Sequence, residues 1–213
     1  MTDGPHAGQP VRTGGTDPED AHAGVVLCHG RGARAGSMLD IGRQVGVDGV
    51  AYLAPQAARG TWYPNSFMRP PDSNEPHLSS ALATVGRTVE RLTDAGIPRE
   101  RVAVGGFSQG ACLATEYAAR NPARYGGVIA LSGGLVGPDG TDFDYEGSLA
   151  GTPAFLGCSD VDPHIPLERV HETADALETL GADVTAEIYE GLGHTVVPDE
   201  LAHVREIVAG MAD

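Results

Sequence analysis

The sequence predicts an α/β fold in which helices flank a mostly parallel central sheet. Short β-rich runs alternate with longer segments of helical periodicity, the pattern of strands joined by crossover helices. The predicted strands are residues 24–29, 49–54, 101–106, 127–132, 153–157 and 184–190. The predicted helices are residues 78–95, 109–120, 167–180 and 198–211. Ligands of such sheets bind beyond the carboxyl ends of the strands, so the residues that follow each strand are the candidates for chemistry.

The length of 213 residues is that of one domain, and no internal repeat or second core is visible in the sequence. Residues 1–22 contain several Gly, Pro and Asp and lack the apolar run of a signal peptide. We therefore expect residues 1–22 to form a flexible N-terminal arm and residues 23–213 to form a single domain.

The charge composition excludes two classes of partner. All 14 basic residues are Arg, and 29 acidic residues give a net charge of −15. Such a charge repels phosphate backbones and anionic membrane surfaces, so neither nucleic acid nor a membrane is expected as a partner. Three cysteines without a CxxC pair argue against a disulfide framework and for a reducing compartment. We expect a cytoplasmic protein.

The strongest motif is Gly106-Phe107-Ser108-Gln109-Gly110, a G-x-S-x-G match between a predicted strand and a predicted helix. A nucleophile elbow needs this strand–turn–helix setting, because the serine occupies a strained turn and the glycines leave room for a close backbone approach. Ser108 is therefore the candidate nucleophile.

A serine hydroxyl needs a base to accept its proton, and the base needs a carboxylate to orient it. Among eight histidines, His194 follows a predicted strand directly and precedes the last helix, so it is the candidate base. Asp160 and Asp162 both follow another strand, and either gives the Ser–Asp–His order of an α/β-hydrolase. Asp162 is favoured, because Pro163 makes a rigid turn that fixes its carboxylate.

The turn after the first predicted strand, residues 28–33, lies where a hydrolase of this kind places one oxyanion donor. By position, the two donors are the main-chain N–H groups of Arg31 and Gln109. His29 is interpreted as a structural residue of this turn. The sequence has no H-E-x-x-H motif or paired cysteines, and without lysine it cannot form a P-loop, so neither a catalytic metal nor a P-loop nucleotide is expected.

Together these motifs resemble the phospholipase/carboxylesterase family of α/β-hydrolases, which includes acyl-protein thioesterases and small bacterial carboxylesterases. The resemblance covers most of residues 23–211. It rests on the HGRGA turn, the segment 62–76, the GFSQGA elbow, the D-P-x-I-P turn and the G-x-G-H loop. It implies an α/β-hydrolase fold, and so short a chain leaves no room for a cap domain.

The resemblance also implies an activity, namely cofactor-free hydrolysis of esters or thioesters through an acyl-enzyme. The same residues carry it, with Ser108 as nucleophile, Asp162 as acid, His194 as base, and Arg31 and Gln109 as oxyanion donors.

Trp62, Tyr63 and Phe67 follow the second predicted strand and are expected to form an apolar wall for the substrate. The negative charge favours small soluble esters over lipid surfaces. A thioesterase or lysophospholipase with the same triad is the alternative, and a catalytically silent ligand-binding protein is a third hypothesis. A homodimer is left open, since nothing in the sequence locates an interface.

Overall fold

A computed structural model describes residues 4–212, which form one seven-stranded sheet and five α-helices. The strands are β1 Val11–Gly15, β2 Ala23–Cys28, β3 Val50–Pro55, β4 Val102–Phe107, β5 Gly127–Leu131, β6 Pro153–Ser159 and β7 Asp183–Tyr189. The helices are α1 Ala35–Val45, α2 His77–Asp94, α3 Gln109–Arg120, α4 Leu167–Thr179 and α5 Pro198–Ala212.

The strand order is β1-β3-β2-β4-β5-β6-β7, and every neighbouring pair except β1 and β3 is parallel. Strands β2 to β6 are almost entirely buried, as expected for a parallel sheet covered on both faces, whereas β7 is a partly exposed edge. The predicted fold class is confirmed. Because the chain goes from β2 to β3 on one side and then to β4 on the other, the sheet has its switch point between β2 and β4.

The segment expected to be a flexible arm instead joins the fold within its described part, which begins at residue 4. Val11–Gly15 form strand β1, which pairs antiparallel with β3 along the sheet edge. His6 is buried, at 1% exposure. The expectation of flexibility rested on a polar composition. An edge strand is held mainly by main-chain hydrogen bonds, so it needs little apolar sequence.

Helix α1 was also absent from the sequence prediction. Its sequence contains Gly36 and Gly42, each of which weakens helix propensity by about 1 kcal/mol relative to alanine. Its buried face, formed by Ala35, Met38, Gly42 and Val45, nevertheless packs on the sheet. Tertiary packing therefore stabilises a helix that local propensity does not predict.

A buried carboxylate lies in the first turn of helix α5, the helix that follows the loop bearing His194. Glu200 is 1% exposed, and its Oε2 accepts a hydrogen bond of 2.8 Å from the N–H of Val197. Gly157 on β6 makes room for this carboxyl, because a Cβ there would overlap it. Burial raises the pKa of Glu200 from 4.5 to about 7.

Glu200→Gln should remove a pH dependence of stability. The folded-state pKa is raised, so ionisation costs stability progressively as pH increases from about 4.5 to about 7, and the full cost is present above that. Glutamine still accepts the Val197 hydrogen bond but does not ionise. As the pH rises from 5 to 8, the free energy of unfolding of Glu200→Gln should increase by about 2 kcal/mol relative to that of wild type. The exposed Glu206→Gln is the control and should follow wild type at every pH. If the free energies of unfolding of Glu200→Gln and wild type differed by the same amount at pH 5 and pH 8, the prediction would be wrong.

Candidate active site

Ser108 occupies a strained turn between β4 and α3, at the switch point of the sheet. Its φ of 57° and ψ of −124° are disfavoured for a non-glycine residue. The Ser108 N–H donates to the carbonyl of Leu131 at 2.9 Å, which anchors the turn to β5. A Cβ on Gly110 would overlap the carbonyl of Cys28, so only glycine permits this contact between α3 and the end of β2. The glycine of the motif therefore permits the close backbone packing beside the serine turn.

The structure brings Ser108, His194 and Asp162 into one hydrogen-bonded line. His194 Nε2 lies 2.8 Å from Ser108 Oγ, and His194 Nδ1 lies 2.7 Å from Asp162 Oδ2. Since the carboxylate accepts from Nδ1–H, Nε2 is the nitrogen free to accept the serine proton. The three side chains follow β4, β6 and β7, and thus converge at the carboxyl edge of the sheet.

The Asp162 carboxylate is held ionised in this buried setting. Its side chain is fully buried, and burial alone acts to raise its pKa. Hydrogen bonds outweigh this effect and lower the pKa below the ordinary value. The donors are His194 and the main-chain N–H groups of His164 and Ile165, which lie 2.8 and 3.1 Å from Oδ1.

Two rings and two loop contacts fix the position of His194. The rings of Phe107 and His164 lie 4.8 and 4.9 Å from the imidazole, centroid to centroid. Ser159 Oγ donates to the carbonyl of Leu192, and Asp160 Oδ1 accepts from the N–H of Gly191 at 2.8 Å. Asp160, the other candidate acid, therefore joins the loop that follows β6 to the loop bearing His194.

The main-chain N–H groups of Arg31 and Gln109, the candidate oxyanion donors, are free of protein acceptors in the described residues. Both residues line the cavity in front of Ser108. The N–H of Gln109 also opens helix α3, so the helix dipole adds positive potential at this point.

The side chains of these two residues have roles that the sequence did not reveal. The buried Gln109 amide accepts from the N–H of Trp62 at 3.0 Å and donates to the carbonyl of Tyr63 at 2.8 Å. The Arg31 guanidinium donates to the carbonyls of Pro64 and Asn65 at 3.0 and 2.8 Å. Both candidate donor residues thus bind the segment 62–65, of which Tyr63, Pro64 and Asn65 line the cavity.

His29 has the structural role expected of it. It is completely buried, and its Nδ1 donates to the carbonyl of Gly30 at 2.8 Å. Its Nε2 accepts from the N–H of Ala57 at 3.0 Å. Burial lowers the pKa of His29 and so favours the neutral ring, and the Ala57 N–H selects the tautomer in which Nε2 accepts. The ring joins the turn after β2 to the segment after β3.

The cavity in front of Ser108 has a volume of about 520 Å³ and is open to solvent. Tyr63 and Phe67 line it, as expected, but Trp62 does not. Trp62 is fully buried beneath the site, with its indole N–H bonded to the carbonyl of His29 at 2.8 Å. The expectation that Trp62 forms part of the substrate wall was therefore wrong, and Trp62 instead packs beneath the residues that line the cavity. The cavity lining is Gly30, Arg31, Ala33, Tyr63, Pro64, Asn65, Ser66, Phe67, Phe107, Ser108, Gln109, Cys112, His164, Ile165 and His194.

A buried arginine supports the far side of the cavity. Arg169 is 1% exposed and donates to the carbonyls of Leu135 and Gly137 at 2.9 and 2.8 Å. Its guanidinium also lies 5.9 Å from the ring centroid of Phe67. The loop after β5 is thereby held behind a residue of the cavity wall.

Two further properties of the described part of the chain bear on function. Within residues 4–212, no three His, Cys, Asp or Glu side chains are grouped as metal ligands would be. No helix in the same range is long and apolar enough to cross a membrane.

Comparison with known proteins places these features in a family. The model of the phospholipase/carboxylesterase family matches residues 16–211. A phospholipase/carboxylesterase structure from Dyadobacter fermentans is 40% identical, with a TM-score of 0.89 over 94% of this chain and 96% of that one. The carboxylesterase of Bacillus cereus shares the fold, with a TM-score of 0.74 at 19% identity over 96% and 95% of the two chains.

Among curated proteins, acyl-protein thioesterase 1 of Saccharomyces cerevisiae is 32% identical over 133 residues. The match covers 61% of this chain and 58% of the yeast protein, somewhat over half of its length. These relationships confirm the α/β-hydrolase fold and the predicted resemblance. The chain belongs to the phospholipase/carboxylesterase family.

Proposed function

We propose that this protein is a serine hydrolase that cleaves carboxylic esters through an acyl-enzyme. The observation that carries the proposal is the line of two hydrogen bonds, 2.8 and 2.7 Å long, from Ser108 through His194 to the ionised Asp162. A serine in a strained turn, a histidine of defined tautomer and two unpaired N–H donors together provide for acyl transfer. Family membership supports the same reaction class.

The reaction proceeds in two halves. Ser108 Oγ attacks the ester carbonyl while His194 Nε2 accepts its proton, and the N–H groups of Arg31 and Gln109 bind the oxyanion. The tetrahedral intermediate then breaks its bond to the leaving oxygen, which takes the proton from His194. In the second half, His194 deprotonates a water that attacks the acyl carbonyl. Collapse of that intermediate returns the proton to Ser108 and releases the acid.

The cavity supports small, uncharged esters as substrates. Apolar side chains form much of its wall, including Tyr63, Phe67, Phe107 and Ile165. Its volume of about 520 Å³ is that of a site for a small molecule. Because the cavity is open to solvent, a substrate can enter without the movement of a lid. The net charge of −15 disfavours anionic lipid surfaces.

The thioesterase alternative is supported by the yeast relative, which is named an acyl-protein thioesterase. The same nucleophile, base and oxyanion donors cleave either bond, so the acyl group and the leaving group decide between the two activities.

We also propose a reducing, cytoplasmic location. Its support is the state of Cys28, Cys112 and Cys158, which are all unpaired and buried.

Hydrolysis of p-nitrophenyl esters from acetate to palmitate, with matched acyl thioesters, tests the function. We expect the highest kcat/KM for short oxygen esters, and a loss of kcat by at least about 10⁴-fold in Ser108→Ala because the nucleophile is missing. The exposed Ser37→Ala should keep wild-type activity. A preference for long chains or thioesters would establish the alternative, and an inactive wild type would leave a silent binding protein.

The two candidate acids make a matched pair of variants. Asp162→Asn should lower kcat by about 10³- to 10⁴-fold, because an amide stabilises the wrong imidazole tautomer and carries no charge. Asp160→Asn removes a carboxylate two residues away that contacts Gly191 instead of His194, and should cost less than about tenfold. Steady-state kinetics at saturating ester measure both. Equal losses in the two variants would refute the assignment of Asp162.

A further inference from the structure

The most buried histidine outside the proposed triad, apart from His29, belongs to the N-terminal segment that precedes β1. His6 Nδ1 accepts a hydrogen bond of 3.0 Å from the N–H of Ala58, and its Nε2 lies 2.7 Å from the carbonyl of Trp62. A peptide N–H only donates and a carbonyl only accepts, so one neutral tautomer satisfies both contacts. The main-chain N–H of His6 donates to Ser80 Oγ on α2 at 3.0 Å. Both ring nitrogens thus hold the segment from Ala58 to Trp62.

That segment contacts the turn after β2 on one side. The carbonyl of Gly60 accepts from the N–H of Gly32 at 2.7 Å. The indole N–H of Trp62 donates to the carbonyl of His29 at 2.8 Å. These contacts lie on either side of Arg31, whose N–H is a proposed oxyanion donor.

The same segment contacts the nucleophile elbow on the other side. The main-chain N–H of Trp62 donates to the Gln109 side chain at 3.0 Å, and Gln109 supplies the second proposed donor. The rings of His6 and Trp62 lie 5.5 Å apart, and those of Trp62 and His29 lie 5.0 Å apart. One buried layer therefore runs from the N-terminal segment to both halves of the oxyanion hole.

We propose that His6 is a positioning residue for the oxyanion hole and acts through the segment from Ala58 to Trp62. The inference rests on the proposed function, because it concerns the placement of the two donors during acyl transfer. Donors stabilise an oxyanion only when they are aimed in advance at its position, and a displacement of about 1 Å costs up to about 100-fold in rate. Loss of the His6 ring frees the Ala58 N–H and the Trp62 carbonyl and lets the segment shift.

Burial is the largest influence on the pKa of His6 and lowers it, so the ring stays neutral near pH 7. This is the protonation state that the two hydrogen bonds require.

His6→Ala tests the proposal, with the exposed His171→Ala as the matched control. The readouts are kcat and KM for p-nitrophenyl acetate and the rate at which a fluorophosphonate labels Ser108, since both reactions pass through an oxyanion. We expect kcat and the labelling rate to fall at least about tenfold in His6→Ala, with KM within about twofold of wild type. The control should match wild type in all three.

A folded His6→Ala variant with a lower melting temperature but unchanged kcat and labelling rate would show packing alone and overturn the proposal. Where His6→Ala does not fold, His6→Phe decides, because it keeps a ring in the same space but makes neither hydrogen bond to the segment. A tenfold loss of kcat in His6→Phe supports the proposal, and unchanged kcat overturns it. A wild type that is labelled but cleaves no ester contradicts the proposed substrates while the labelling rates still test His6. A wild type without either reaction overturns both proposals.

Discussion

The contact of helix α3 with the end of strand β2 is the constraint on which the site depends. At Gly110 the helix approaches the carbonyl of Cys28 so closely that no side chain fits between them. In this arrangement Ser108 has its strained conformation, and Gln109, the first residue of α3, lines the same cavity as Arg31. The proposed nucleophile and oxyanion donors therefore depend on one packing contact, and the buried sheet around it stabilises the strained turn.

The remaining groups of the site come from separate strand ends, and short polar contacts hold them in register. Asp160 and Ser159 bind the loop that carries His194, while Gln109 and Arg31 bind the segment that carries Tyr63. Most of these contacts involve main-chain groups, which every sequence provides. The geometry thus depends on a few side chains placed to meet backbone N–H and carbonyl groups of neighbouring loops.

The sequence was sufficient to predict the parts of the fold that carry strong local signals. Short β-rich runs identified β2 to β7, and the setting of Ser108 between a strand and a helix identified the elbow. His194 was predicted because it follows a strand directly, and Asp162 was preferred to Asp160 because of the turn at Pro163. The structure places both together with Ser108.

The features that escaped prediction depend on contacts between distant parts of the chain. Strand β1 is held by pairing with β3, and helix α1 by packing that compensates for two glycines. The burial of Trp62 depends on partners 33 and 47 residues away, His29 and Gln109. No local pattern distinguishes such a tryptophan from one that faces a substrate. Sequence periodicity predicts local structure, whereas β1, α1 and the burial of Trp62 depend on contacts with residues that are distant in the sequence.

The charges on one edge of the sheet bear on how the protein behaves in concentrated solution. Strands β1 and β7 are the two edges, and β7 exposes Asp183 and Glu187. Two copies that met along this edge would bring carboxylates of like charge together, in a molecule that already carries −15. The same acidity that is unfavourable for contact with phosphate polymers is therefore also unfavourable for pairing of β7 with its counterpart in another copy.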